Sequence, residues 1–285
     1  MQTNWEKVLT DSQLISLPEV YIKLQQLIYS DDYSLADIVE TISFDPSITA
    51  RLLRMVNSSF FGLASEVNTV AHAINYLGAK QVHDLVLATS MADTFSDMNT
   101  AAFSMKQFWK KSIYCAIFAQ DLAALCDEKN SERLFITGLL HNMGHLMMRQ
   151  SIPDLILQAE ELTRQQQIPM FKAEQQLIGF DFAQMGAELL NKWNLPGNLT
   201  TAIKYQLNPS QAEEYQMDAA ILHISSFMTR LFDQELPVEN PSEALGEQLA
   251  ESAVNLTKIN NEQLAELDLA AKESLSSVIQ LLFPQ

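Results

Sequence analysis

The sequence has 285 residues, 47% of them hydrophobic, so the chain is long enough to bury a sizeable core in one large domain or two ordinary ones. Its 35 acidic residues outnumber 18 basic ones, which gives a formal net charge of -17 at pH 7. Because a field of this sign repels phosphate backbones and anionic lipid head groups, neither nucleic acid nor a membrane surface is expected as a partner.

Helical signals run along the whole chain, whereas alternating strand patterns and Asn-Gly or Asp-Gly hairpin turns are absent. Pro18 begins a segment with apolar residues at helical spacing. Ser34, three residues before Asp37, has the pattern of a capping box, and Asp45 followed by Pro46 is a typical helix start. Helices are therefore predicted to begin at these three places.

The same signals continue to the end of the chain. Thr69 opens a helix that Gly78 ends. Ser104 opens one that runs to about Cys126, and Ser131 opens a helix through ERLFITGLLHNMGHLMM. DQELPVENPSEA has the composition of a linker and precedes an amphipathic region from residue 242 to 283. The predicted fold class is all-α, with later helix starts at Pro153, Pro169, Asp181 and Pro196.

The two cysteines do not predict a disulfide. Cys115 and Cys126 fall in one helical pattern that separates them by roughly 16 Å, which is too far for a bridge. The amino terminus lacks the basic and apolar regions of a signal peptide, and no apolar run of about 18 residues occurs. A cytoplasmic location without export signal or anchor is the expectation.

Several segments resemble a known family. SLPEVYIKLQQLI, IVETISFDPSITARLLRMVNSSFFG and VAHAINYLGAKQVHDLVLATSMADTF follow the order and spacing of the HDOD family. FWKKSIYCA, FITGLLHNMGHLMM, IGFDFAQMGAELLNKWNLP and AIKYQ resemble the segments in which the related HD phosphohydrolases place metal ligands. The resemblance implies a multi-helical N-terminal bundle, residues 1–104, packed on an HD-like helical half, residues 105–235, with a C-terminal helical extension, residues 236–285.

The HD enzymes hold one or two divalent ions with an adjacent His-Asp pair, distant histidines and an aspartate, and the ions activate water against a phosphoester. Here the pair is His141-Asn142, and a neutral amide is a much weaker ligand than a carboxylate. The resemblance therefore implies a vestigial site without catalytic residues, metal or cofactor, whose other ligand positions are filled by Lys111, Phe182, Tyr205, Gln206 and Ser226.

Two histidines retain a spacing that can chelate zinc, because His141 and His145 are four residues apart in one predicted helix. HNMGH lacks the glutamate of an HExxH motif. The simpler interpretation is that His141 is a hydrogen-bonded core residue and His145 a partly exposed helix residue. A weak metal or ligand contact at this pair is the alternative.

Asn57, Ser58, Ser59 and Phe60 follow the third predicted helix. In one interpretation Asn57 ends that helix in a left-handed conformation. In the other, the four residues lie in an exposed turn and contact a partner protein. The sequence leaves both interpretations open.

The resemblance implies a non-catalytic regulatory module of bacterial signal transduction that acts through protein–protein interaction. Its partners would be signalling proteins that the sequence does not name, and a homo-oligomer is compatible with it. Two other functions stay open: a metal-dependent phosphohydrolase with residual activity, and a nucleotide or cyclic-dinucleotide sensor that uses the old pocket, with Lys111 and Arg133 available for phosphate.

Overall fold

The structure is a computed structural model, and it describes residues 5, 6, 8, 19–28, 30, 34–57, 66–94, 103–129, 131–234 and 249–282. Within these residues the chain forms helices and no β-strand, which confirms the all-α prediction. The chain divides into two compact units. The first unit comprises residues 16–139 and 262–285, and the second unit comprises residues 1–15 and 140–261. Their boundary lies inside the half predicted to span residues 105–235.

The helices of the described residues are distributed between the two units. In the first unit they are α1 (Glu19–Ile28), α2 (Leu35–Ser43), α3 (Pro46–Val56), α4 (Val70–Leu77), α5 (Ala79–Thr94), α6 (Met105–Leu125) and α7 (Glu132–Leu140). The second unit contains α8 (Met143–Ser151), α9 (Pro153–Gln166), α10 (Met170–Leu177), α11 (Phe182–Lys192), α12 (Gly197–Tyr205), α13 (Gln216–Asp233) and α14 (Glu251–Thr257). A short 3-10 turn, Pro209–Gln211, links α12 to α13, and α15 (Asn261–Leu282) returns to the first unit.

Five of the predicted helix starts are confirmed by the hydrogen bonds of their caps, whereas the predicted start at Pro18 lies outside the described residues. Asp37 N–H donates to Ser34 Oγ (3.2 Å) and Ser34 N–H donates to Asp37 Oδ2 (2.9 Å), which completes the capping box of α2. Asp45 Oδ1 accepts from the N–H groups of Ser47 (2.8 Å) and Ile48 (3.1 Å) at the start of α3. Side-chain caps also open α4, α6 and α11, at Thr69, Ser104 and Asp181.

The last helix belongs to the first unit and is tied to α6 by a buried polar contact. Tyr114 OH donates to Asp268 Oδ1 (2.6 Å), and Lys272 Nζ donates to Asp268 Oδ2 (2.7 Å). Burial and the bond to Asp268 raise the pKa of Tyr114, so the phenol keeps its proton and remains the donor. The carboxylate therefore has a partner for each oxygen, and it lies on a helix whose apolar face is also buried, at Leu264, Ala271, Leu275 and Val278.

Removing the Tyr114 hydroxyl is expected to destabilise the first unit. The variant Tyr114→Phe keeps the ring but leaves Asp268 Oδ1 buried without its donor, which costs about 1–3 kcal/mol of unfolding free energy. Hydrogen exchange should accelerate in α15. The matched control is Tyr76→Phe, because Tyr76 is half exposed on α4 and its change should leave the melting temperature unaltered. Equal stability of the two variants would contradict the assigned role.

Candidate functional site

The His141-Asn142 pair lies in a break between two helices. α7 ends at Leu140, the pair forms a turn, and α8 begins at Met143. The prediction of one continuous helix through His145 is therefore wrong at this point. Tertiary packing overrides the local helical pattern: α8 crosses α11 so closely that a Cβ atom on Gly144 would lie 2.6 Å from Gly186 N.

His141 is buried, and its backbone is held by a side chain from the end of α12. Gln206 Nε2 donates to the carbonyl oxygens of His141 and Ile203, each at 3.0 Å. Gln206 is itself fully buried, and its Oε1 has no hydrogen-bond partner in the described part of the chain. The Gln206 amide thus joins the end of α12 to the helix break.

His223, on α13, links the end of α12 to the start of α14. Its Nδ1 lies 2.8 Å from Gln206 O, and its Nε2 lies 3.0 Å from Ala250 N. Because an amide nitrogen only donates and a carbonyl oxygen only accepts, the ring is neutral with its proton on Nδ1. Burial lowers the pKa of His223, and the charge of Arg230 adds to this effect against the bond to Gln206.

His145 lies in a different environment from His141. Its ring stacks on Phe182, with centroids 4.1 Å apart and an interplanar angle of 20°. Its Nε2 is 3.0 Å from Glu174 Oε1, an ion-pair distance, although the two atoms are outside hydrogen-bonding geometry. The other oxygen, Glu174 Oε2, accepts from Phe182 N–H (3.0 Å) at the start of α11, where a carboxylate is stabilised by the helix dipole.

The other predicted site residues have contacts of their own. Gln206 contacts the His141 backbone, and Ser226 Oγ donates to His223 O (3.0 Å). Tyr205 is half-buried, with Lys204 Nζ 5.5 Å from its ring centroid. Lys111 is half-buried on α6, in the first unit.

The bulk of the substituted side chains predicts that Phe182, Tyr205 and Lys111 fill the space around His141 and Asn142. Phe182 stacks on His145, and Gln206 donates to the His141 carbonyl oxygen. Glu174, which is fully buried, is absent from the predicted site residues. A glutamate within the helical segment FKAEQQL gives no signal that distinguishes it from a solvated one.

The residues present do not fit a divalent ion. Within the described residues, no group of three or more His, Cys, Asp and Glu side chains is placed to hold one. His223 uses both ring nitrogens on backbone groups, and Gln206 uses its amide nitrogen as a donor. The unpartnered Gln206 Oε1 is a single neutral oxygen, whereas Mg²⁺ and Ca²⁺ require six or so oxygen ligands.

Asn57 links the end of α3 to the backbone of Val67. Its Nδ2 donates to Leu53 O (2.9 Å) and Val67 O (2.7 Å), and its Oδ1 accepts from Val67 N–H (2.6 Å). Its φ of -82° is not left-handed, so that prediction is wrong. The side chain bonds to the last turn of α3 and also to the backbone of Val67, ten residues further along the chain. Ser58, Ser59 and Phe60 lie outside the described residues.

Two other predictions concern disulfides and membrane-spanning helices. Cys115 and Cys126 are free thiols, and Cys115 is buried. None of the helices in the described ranges combines the length and apolar character needed to cross a bilayer.

The helices of the described residues define a class, the all-α proteins. The sequence profile of the HDOD domain matches residues 14–209, and the chain belongs to this family. One curated relative is an uncharacterised protein of Treponema pallidum, with 26% identity over 249 residues and 87% of this chain covered. The chain spans 46% of that relative's length.

Crystal structures of three bacterial proteins share the fold. An HDOD domain protein of unknown function from Geobacter sulfurreducens has a TM-score of 0.75 at 19% identity, covering 99% of this chain and 97% of that one. A Shewanella amazonensis protein whose name assigns it to the phosphohydrolases has a TM-score of 0.74 at 24% identity, covering 97% and 96%. A Marinobacter aquaeolei protein named for signal transduction has a TM-score of 0.71 at 23% identity, covering 99% and 61%.

Proposed function

We propose that this chain is a non-catalytic module of bacterial signal transduction that acts by binding another protein, and that its HD metal site is vestigial. The main support is the use of the former ligand positions for internal hydrogen bonds: Gln206 holds the His141 carbonyl, and its own carbonyl accepts from His223. Family membership and the name of the Marinobacter neighbour agree with a signalling role.

The absence of catalysis is tested by metal content and turnover. Purified protein is expected to contain no stoichiometric Fe, Mn, Zn or Mg and to hydrolyse neither phosphomonoesters nor cyclic dinucleotides above a blank, because a catalytic metal must be held by several protein ligands before it can activate water. The control is His141→Ala, assayed beside the parent protein. One metal ion per chain, together with turnover that this variant lacks, would establish the competing phosphohydrolase function.

An exposed aromatic residue gives the partner hypothesis a second test. Phe44 is 83% exposed, and it directly precedes Asp45 at the start of α3, in the segment FDPSITARLL that resembles the family. Large exposed aromatic side chains act as anchors at protein interfaces when a partner buries them. The predicted contact residues Asn57, Ser58, Ser59 and Phe60 follow the other end of α3.

Phe44→Ser is expected to reduce recovery of the partner by about thirtyfold, the loss expected at an interface anchor. The measurement is quantitative mass spectrometry after crosslinking in cells of the native organism. Because Phe44 is exposed, the melting temperature should not change. Leu157→Ser is the matched control, since Leu157 is 52% exposed on α9 in the second unit. Equal recovery with both variants would contradict a role for Phe44.

A further inference from the structure

The first unit contains a cleft that none of the HD positions lines. It has a volume of about 210 Å³ and lies among the end of α4 and helices α5, α6 and α7. Its apolar part consists of Leu77 at the end of α4 and of Leu85, Phe135 and Ile136, and the last three are each 2% exposed. The remaining lining is polar and comes from α5, α6 and α7. The cleft therefore offers an apolar surface and hydrogen-bonding groups together, as small-molecule sites do.

One polar side chain that lines the cleft has an oxygen without a hydrogen-bond partner among the described residues. Gln120 Oε1 is buried and has no hydrogen-bond partner in the described ranges. An unsatisfied buried carbonyl oxygen is costly, so such groups are normally paired with protein, water or ligand. The atom is an acceptor only, so the donor that would satisfy it is an N–H or O–H group.

The charged lining residues are balanced, although the chain as a whole is strongly acidic. Arg133 NH2 is paired with Glu128 (2.8 Å), and Asp84 Oδ1 lies 3.0 Å from His83 Nδ1. The other two are Lys80 on α5 and Glu132 on α7, and neither has a partner among the residues that the structure describes. The Lys80 cation and the Glu132 anion, on two different helices, are thus available to contact a ligand.

We propose that this cleft binds a free amino acid with an apolar side chain. The ligand ammonium would contact Glu132 and donate to Gln120 Oε1, its carboxylate would contact Lys80, and its side chain would lie on Phe135 and Ile136. A volume of about 210 Å³ is smaller than the roughly 300–1,000 Å³ of sites for drug-sized ligands, which disfavours a cyclic dinucleotide. This activity goes beyond the proposed function, since it concerns neither the HD positions nor the partner.

The test compares L-leucine with two analogues, 4-methylpentanoate without the ammonium and 3-methylbutylamine without the carboxylate. Calorimetry on the full chain is expected to detect leucine and to find each analogue weaker by about tenfold or more, because each leaves one charged group of the cleft unpaired. L-isoleucine, L-methionine and L-phenylalanine define the side-chain preference, and adenosine monophosphate is the anionic comparison.

Two variants test which residue of the cleft contacts each charged group of the ligand. Glu132→Gln should remove most of the advantage of leucine over 4-methylpentanoate, and Lys80→Met should remove most of its advantage over 3-methylbutylamine. Lys106→Met is the matched control, since Lys106 is exposed on α6 outside the cleft. The proposal is overturned if none of the four amino acids binds, if leucine and its analogues bind equally, or if adenosine monophosphate binds more tightly. None of these outcomes alters the metal and turnover test.

Discussion

Gly144→Ala is expected to destabilise the second unit strongly, because α8 and α11 cross without room for a methyl group. A Cβ atom at this position would overlap the carbonyl oxygen of Phe182 and lie 2.6 Å from Gly186 N. Both obstacles are backbone atoms of α11, so no rotamer change relieves the overlap, and α8 must move away from α11. Overpacking of this kind costs about 3 kcal/mol or more, which lowers the melting temperature by roughly 10 °C in a chain of this size.

The chain offers two matched glycine controls. A Cβ atom on Gly186 would lie 3.3 Å from Gly144 N and 3.4 Å from Ile203 Cγ2, so Gly186→Ala should cost about 1 kcal/mol. At Gly197 the nearest atom is 4.0 Å away, and Gly197→Ala should be neutral or stabilise by up to about 1 kcal/mol. Calorimetric melting of the three variants checks the order. A Gly144→Ala protein as stable as Gly197→Ala would disprove the close crossing of α8 and α11.

The local features of the fold were predictable because caps depend on neighbouring residues. Ser34 with Asp37 and Asp45 with Pro46 mark helix starts through bonds that span two or three residues, and these starts are where the structure has them. The break at His141 was not predictable in this way. It accompanies contact between Gly144 and α11, about forty residues further along the chain, and a continuous helical pattern conceals it.

The contacts of the candidate site could not be predicted from the sequence. The family resemblance predicts that Asn142 stands where the HD enzymes have aspartate and that Phe182 stands where they often have histidine. That Gln206 would contact the His141 backbone requires the packing of α12, because 65 residues separate the two. Asn57 is a similar case, since its side chain pairs with Val67 where a left-handed helix stop was predicted.

The stability of the second unit is expected to depend on pH through His223. The neutral ring accepts from Ala250 N–H through Nε2, and Ala250 is the N-cap residue of α14. Protonation would place a second N–H against that donor and remove the acceptor, at a cost of about 1–3 kcal/mol for the amide left unpaired. Acid should therefore loosen the contact between α13 and α14.

The direction of this pH dependence follows from proton linkage. Since the pKa of His223 is lowered from its ordinary value of 6.5 in the folded chain, the unfolded chain binds more protons between these two values. The stabilising contribution is fully present above pH 6.5 and is lost as the pH falls through the pKa that His223 has in the folded chain.

His223→Gln removes this titration but leaves the other four histidines in place. Between about pH 7.5 and 5.5 the melting temperature of the parent protein should consequently fall more steeply than that of the variant. Hydrogen exchange in α14 should accelerate over the same range in the parent protein alone. Parallel melting curves for the two proteins would show that His223 titrates equally in the folded and unfolded chains, and the tautomer assigned to it would then have no effect on stability.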